Sequence, residues 1–265
     1  IYLSLLGHPL PIRLTKKADL WYTTPRTMKT AGKKKKEIFI GNIGIGGDHP
    51  VSLQSMTSTA TSDVASTLKQ IRHLQAAGCE IVRVAIPDLA VAADFQKIVQ
   101  EAPLPIIADI HFDHRIAIAA IEAGANGIRI NPGNIGSEQK VIEILQCAKH
   151  HRVPIRIGVN SGSIEKRFIK AGKSKIDTMV DSLMDKVRFC EKNGFSDLKL
   201  SIKSSDVRET VLAYRQVDGI CDYPLHLGIT ESGTRYSGTI KSAIGIGALL
   251  LDGIGNTIRV SLTRD

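Results

Sequence analysis

Gly127-Ile128-Arg129-Ile130-Asn131-Pro132-Gly133-Asn134 reads as a short apolar strand that ends in a sharp turn. Side chains alternate along a strand, so Arg129 and Asn131 share a face, and the Pro-Gly turn aims backbone N–H groups at whatever that face holds. An amphipathic stretch over 137–151 follows, and then the pattern returns in Arg156-Ile157-Gly158-Val159-Asn160-Ser161-Gly162-Ser163. Again a cation comes first, an amide follows, and a flexible turn closes the unit. Two such strands joined by a helix make the βαβ unit of a parallel sheet.

The same grammar extends in both directions. Strands are expected over 51–56, 80–86, 106–110, 127–130, 155–159, 197–202, 225–229 and 257–262. Helices are expected over 62–77, 113–124, 137–151, 177–194 and 205–218, and the Gly-rich stretch 238–255 reads as a tightly packed seventh helix. Eight strands alternating with helices predict an α/β fold, a (β/α)8 barrel of the TIM type, over residues 37–265. The eighth helix is expected to be missing from this fragment, leaving one apolar face of the wall uncovered.

In such a barrel the reactive groups stand at the carboxyl ends of the strands. Arg83, Arg129, Arg156 and Lys203 are four cations in these positions, and together they predict a pocket for a multiply charged small anion. Each has a plainer reading beside it. Arg83 is either a structural plug paired with an acid or an anion ligand. Asp109 and His111 share a face and are either a buried pair holding loops or part of the chemistry. Lys199, Ser201 and Lys203 alternate on one strand. Glu231 follows Thr230 after an apolar strand and is either a proton donor or acceptor near the cations, or the cap of the next helix. Ser261 is a candidate phosphate donor.

The formal charge of +9 is concentrated in the first 36 residues, where nine basic side chains face one acid, giving +8 and leaving +1 for the remainder. The barrel is therefore nearly neutral, which argues against a nucleic-acid-binding surface on it. Residues 1–36 are expected to be a basic extension, disordered or artefactual, with 1–27 foreign to the folded protein and Lys33 to Lys36 a solvated tail. No run approaches the roughly 18 apolar residues of a membrane helix, and the run before His8 lacks a basic start, so neither a span nor a signal peptide is expected and the cytoplasm is the expected compartment. Cys79, Cys147, Cys190 and Cys221 form no C-x-x-C pair and are expected to be reduced structural thiols.

Ala108-Asp109-Ile110-His111-Phe112, the two cation motifs above, Leu225-His226-Leu227-Gly228-Ile229-Thr230-Glu231 and Arg259-Val260-Ser261-Leu262 occur in this order. In these motifs the chain closely resembles the 4-hydroxy-3-methylbut-2-enyl diphosphate synthase family over about 37–265. The resemblance implies the barrel half of an iron-sulfur oxidoreductase of isoprenoid biosynthesis, which converts 2-C-methyl-D-erythritol 2,4-cyclodiphosphate to the linear hydroxymethylbutenyl diphosphate. It implies that Arg83, Arg129, Arg156, Lys203 and Ser261 hold the phosphates, with Asn131 and Asn160 completing the cradle. Thr230 and Glu231 would lie by the carbon skeleton, with Glu231 the acid/base, and Asp109 and His111 would also contact the substrate. A 4Fe-4S cluster, a flavodoxin or ferredoxin donor and a homodimer are implied for the full-length protein. The cluster's ligands are expected outside this chain, no metal within it, and the fragment alone is expected to be inactive. Two other readings remain: a pterin-dependent transferase of a related barrel type, and an interaction module whose basic tail grips nucleic acid.

Overall fold

The computed structural model describes residues 32–169 and 172–262. Its first elements are a hairpin that the sequence reading did not delimit, β1 (Ile38–Ile40) and β2 (Ile43–Ile45), paired antiparallel. The two-residue turn between them needs a positive φ, which Gly41 supplies at 59°. Ile38, Ile40 and Ile45 pack on Ile81 and Ile107 near the starts of two barrel strands. The hairpin thereby plugs the amino-terminal end of the barrel and leaves the carboxyl-terminal rim open.

The barrel strands are β3 (Ser52–Met56), β4 (Ile81–Ala85), β5 (Ile106–Asp109), β6 (Gly127–Ile130), β7 (Ile155–Asn160), β8 (Leu198–Lys203), β9 (His226–Leu227) and β10 (Thr257–Ile258). All pair in parallel in the order β8-β7-β6-β5-β4-β3-β10-β9, and a parallel bridge from Leu200 to Leu225 brings β8 to β9 and nearly closes the circle. The last two strands are shorter than expected. Beyond the end of β10, Arg259 N–H still donates to Leu227 O at 3.1 Å.

The helices are α1 (Val64–Ala76), α2 (Ala92–Glu101), α3 (His114–Glu122), α4 (Glu138–His151), α5 (Lys175–Lys192), α6 (Val207–Ile220) and α7 (Arg235–Leu251). Asp63, Asp113, Ser174 and Asp206 cap their helices by accepting backbone N–H groups of the first turn. Helix α2 was not bounded in the sequence, and α7 spans 235–251 rather than 238–255. On α7, Tyr236, Ile240, Ile244 and Leu251 are exposed, as are Leu53 of β3 and Val260 beyond β10.

Of the run Lys33 to Lys36, expected as a solvated tail, Lys33, Lys34 and Lys36 are exposed but Lys35 is buried. Lys35 is 6% exposed; its ammonium pairs with Asp218 at 2.8 Å and donates to the carbonyl of Cys221 at 2.8 Å. Lys33 pairs with Asp222, Lys34 with Asp48, and Lys36 lies over the Tyr223 ring. A lysine run is read as solvated because burying an ammonium is costly, but here acids and carbonyls at the end of α6 satisfy it. Residues 1–31 of the expected 1–36 extension lie outside the described residues.

Candidate anion-binding site

Strand register sets the site. Asp109, Arg129, Arg156 and Lys199 are successive hydrogen-bonded neighbours across β5, β6, β7 and β8. Registered neighbours in a parallel sheet point to one face, here the barrel interior. Two residues further along β7 and β8, Gly158 meets Ser201, and two beyond that Asn160 meets Lys203. Arg83 enters from β4 beside Met56 of β3, donating to its sulfur at 3.0 Å.

Arg83, Arg129, Arg156, Gly158, Asn160, Ser201 and Lys203 line one cavity of about 100 Å³ with Thr230, Arg259 and Ser261, while Asp109 and Lys199 lie outside its lining. Glycine keeps it open. A Cβ on Gly158 would lie 2.7 Å from Ser201 Oγ, and one on Gly228 would lie 2.8 Å from Lys203 Nζ.

Charge is badly out of balance in this interior. Arg83, Arg129, Arg156, Lys199, Lys203 and Arg259 stand against the carboxylate of Asp109, which lies 3.5 Å from Arg83 Nε, 3.3 Å from Arg129 Nη1 and 3.4 Å from His111 Nε2. Burial works to raise the Asp109 carboxyl, but the His111 hydrogen bond and the guanidinium groups of Arg83 and Arg129 outweigh it and hold it below the ordinary carboxylate range. Burial pulls Arg83 down to about 10 and Lys199 down to about 7, and it pushes Arg156, Lys203 and His226 well down too. Arg156 Nε and Nη1, Lys199 Nζ and both His226 ring nitrogens find no hydrogen-bond partner among the protein groups. An interior with surplus cations and unsatisfied donors has the chemistry to take an anion, and guanidinium forks suit phosphate oxygens.

The other sequence candidates fall around this centre. Asn160, Thr230 and Ser261 line the cavity. Asn131 does not; its Oδ1 accepts from Gly133 N–H at 3.3 Å and its Nδ2 donates to Asn134 Oδ1 at 3.2 Å, so the side chain holds the turn after β6. Asp109 sits beneath the cations as their counter-ion, with His111 half-exposed beside it. Glu231 is exposed at the rim with φ 48°, an uncommon conformation for a non-glycine residue. It does not cap α7, whose cap position is Thr234. Arg259, Met56, His226 and Lys199 reach this interior without standing out in the sequence. Arg259 carries the signal that marks Ser261, two residues on along the same strand direction.

The four cysteines are free and lie on separate elements, ahead of β4, within α4, within α5 and after α6. Among the described residues, no group of three or more His, Cys, Asp or Glu side chains is arranged to hold a metal ion. These residues do not fit an iron-sulfur cluster. No helix among the described residues is long and apolar enough to cross a membrane.

The family model of the GcpE TIM-barrel domain matches residues 35–265. The chain belongs to the GcpE TIM-barrel domain family. It is 53% identical over 234 residues to the 4-hydroxy-3-methylbut-2-en-1-yl diphosphate synthase (flavodoxin) of Lawsonia intracellularis, covering 88% of this chain and 65% of that protein. It is 53% identical over 233 residues to the same enzyme of Geobacter sulfurreducens, covering 88% and 66%. The chain thus spans about two thirds of the length of these relatives. Among solved structures, Yersinia pestis dihydropteroate synthase superposes with a TM-score of 0.60 at 12% identity over 84% of this GcpE barrel and 90% of that chain. The 3-dehydroquinate dehydratase of Geobacillus kaustophilus HTA426 gives 0.58 at 16% identity over 87% and 90%. At these identities the likeness concerns the barrel fold alone.

Proposed function

We propose that this barrel binds 2-C-methyl-D-erythritol 2,4-cyclodiphosphate within a longer 4-hydroxy-3-methylbut-2-en-1-yl diphosphate synthase. The observation that carries the reading is the single cavity in which Arg83, Arg129, Arg156, Lys203 and Arg259 converge with Ser261 and Asn160. The guanidinium groups and Lys203 take the two phosphoryl groups, with Ser261 and Asn160 donating at their edge. Asp109 and His111 contact the substrate from beside Arg83 and Arg129, and Thr230 lies by the carbon skeleton. Asn131 acts by shaping the turn whose N–H groups face the ligand.

The proposed reaction takes in two electrons and two protons, opens the ring and releases one water. Glu231, held at the rim next to Thr230, is the acid/base this chain contributes. A 4Fe-4S cluster supplies the electrons when bound, and its ligands belong to the remainder of the longer protein. The donor is flavodoxin, the one named for the relatives, or ferredoxin. The full protein works as a homodimer in the cytoplasm, where free cysteines such as these four persist. Neither nucleic acid nor a membrane is a partner, and the described fragment alone does not turn substrate over.

Competition decides between this and the pterin-dependent alternative. The chain is expected to bind the cyclodiphosphate and to ignore a pterin diphosphate; the reverse preference contradicts the proposal.

A further inference from the structure

A barrel of this type is ordinarily filled with layers of branched apolar side chains. Here the middle of the interior is polar. Thr257 is in register with Ser52 on one side and His226 on the other, and Ser52 Oγ donates to Thr257 Oγ1 at 3.1 Å. Gln54 and Lys199 complete this zone at 5% and 1% exposure. Lys199 Nζ, both nitrogens of His226 and both polar atoms of the Gln54 amide lack hydrogen-bond partners among the protein groups.

Lys199 therefore sits buried beneath the anion-facing groups with no acid of its own. From β7 it faces Arg156, its registered neighbour, and from β4 the guanidinium of Arg83. Lys203 lies above it on β8 and His226 is fully buried on β9. In the same row stand Arg129 of β6 and Asp109 of β5, and Arg259 follows β10. Asp109 is the carboxylate of this set, and it is committed to Arg83, Arg129 and His111.

Like charges crowded at low dielectric cannot all persist, and the group that yields is the one whose proton leaves most easily. Guanidinium groups do not yield, whereas amines do. Burial, then the charges of Arg156 and Arg83, brings Lys199 to about 7, and burial with Arg156 pushes Lys203 well down. A ligand carrying two negative charges reverses the local field.

We propose that Lys199 is a proton-accepting positioning residue of the site: seating a cyclic diphosphate above it is coupled to proton uptake by the β8 amines, Lys199 and Lys203. The inference rests on the reading of the cavity as a diphosphate site. Proton uptake turns the β8 amines into cations only when the anion is present, so the ligand-free interior is spared their full repulsion. The cyclodiphosphate is a clean probe, because each phosphorus in the ring has one strongly acidic oxygen, and the ligand itself exchanges no proton near neutrality.

The test is calorimetric titration of the chain with 2-C-methyl-D-erythritol 2,4-cyclodiphosphate at pH 8 in buffers of different ionisation enthalpy. The slope of observed heat against buffer enthalpy gives the protons taken up. Wild type is expected to take up about one proton and to lose affinity by up to about tenfold per pH unit above neutrality. Lys199→Met and Lys199→Gln, which remove a buried unpaired amine and so should fold, are expected to bind with reduced uptake and a flatter pH dependence. Binding without uptake, or uptake unchanged in both Lys199 variants, overturns the inference while the diphosphate reading stands. Absence of binding at every pH overturns both.

Discussion

Gly228 and Lys203 approach so closely that a Cβ on the glycine would lie 2.8 Å from the lysine Nζ, with the Arg259 carbonyl oxygen 2.6 Å away on the other side. The carbonyl belongs to the backbone and cannot move aside cheaply. The lysine head must therefore shift away from the cavity it lines. Gly228→Ala is expected to weaken diphosphate binding by about 1 to 3 kcal/mol through loss of a charge-assisted contact, and to lower the thermal unfolding temperature because the backbone at Arg259 is forced aside. Equal affinity in the variant, measured by calorimetry, would show that Lys203 does not hold the ligand.

Asp109 is the counterweight to the cations. Removing its charge in Asp109→Asn is expected to cost about 3 kcal/mol of stability, because it leaves buried guanidinium groups uncompensated. Its carboxyl is held below the ordinary range, so its contribution is present above about pH 4 and is lost as the pH falls from there toward the depressed value. Acid unfolding followed by circular dichroism should show this limb in the wild type and lack it in the variant. Added diphosphate should recover more stability in Asp109→Asn than in the wild type, since the anion replaces the missing charge.

The hairpin plug makes a separate prediction. Ile45 is fully buried among Ile38, Ile40, Ile81 and Ile107. Ile45→Ala is expected to lower the unfolding free energy by about 2 to 5 kcal/mol, the range for a large-to-small core substitution. Denaturant titration checks it; a loss below about 1 kcal/mol would mean that the hairpin is not part of the cooperative unit.

The interior cations were legible in the sequence because strand alternation is strict: Arg129, Arg156 and Lys203 stand at inward positions of runs too apolar to be anything but buried strands. What the sequence hid was hidden for physical reasons. Helix α2 follows a 3₁₀ turn at Leu89–Val91, and the residue at its cap, Val91, makes no side-chain cap bond, so it carries no start signal. The strands of the hairpin are three residues each, too short to show alternation. Lys35 gives no hint of burial, because its partner Asp218 lies far along the chain and only the folded barrel brings them together. Asn131 has the right face for a ligand, but a turn two residues away offers its amide a nearer partner. Lys199 was visible in its alternation with Lys203, and only the register with Arg156 reveals how deeply it sits.

The most direct measurement is calorimetric titration of this chain with 2-C-methyl-D-erythritol 2,4-cyclodiphosphate, with Arg129→Ala and Arg156→Ala alongside the wild type. The account predicts saturable binding to the wild type and a loss of about 1.5 to 3 kcal/mol in each variant. Affinity unchanged in both variants would contradict it.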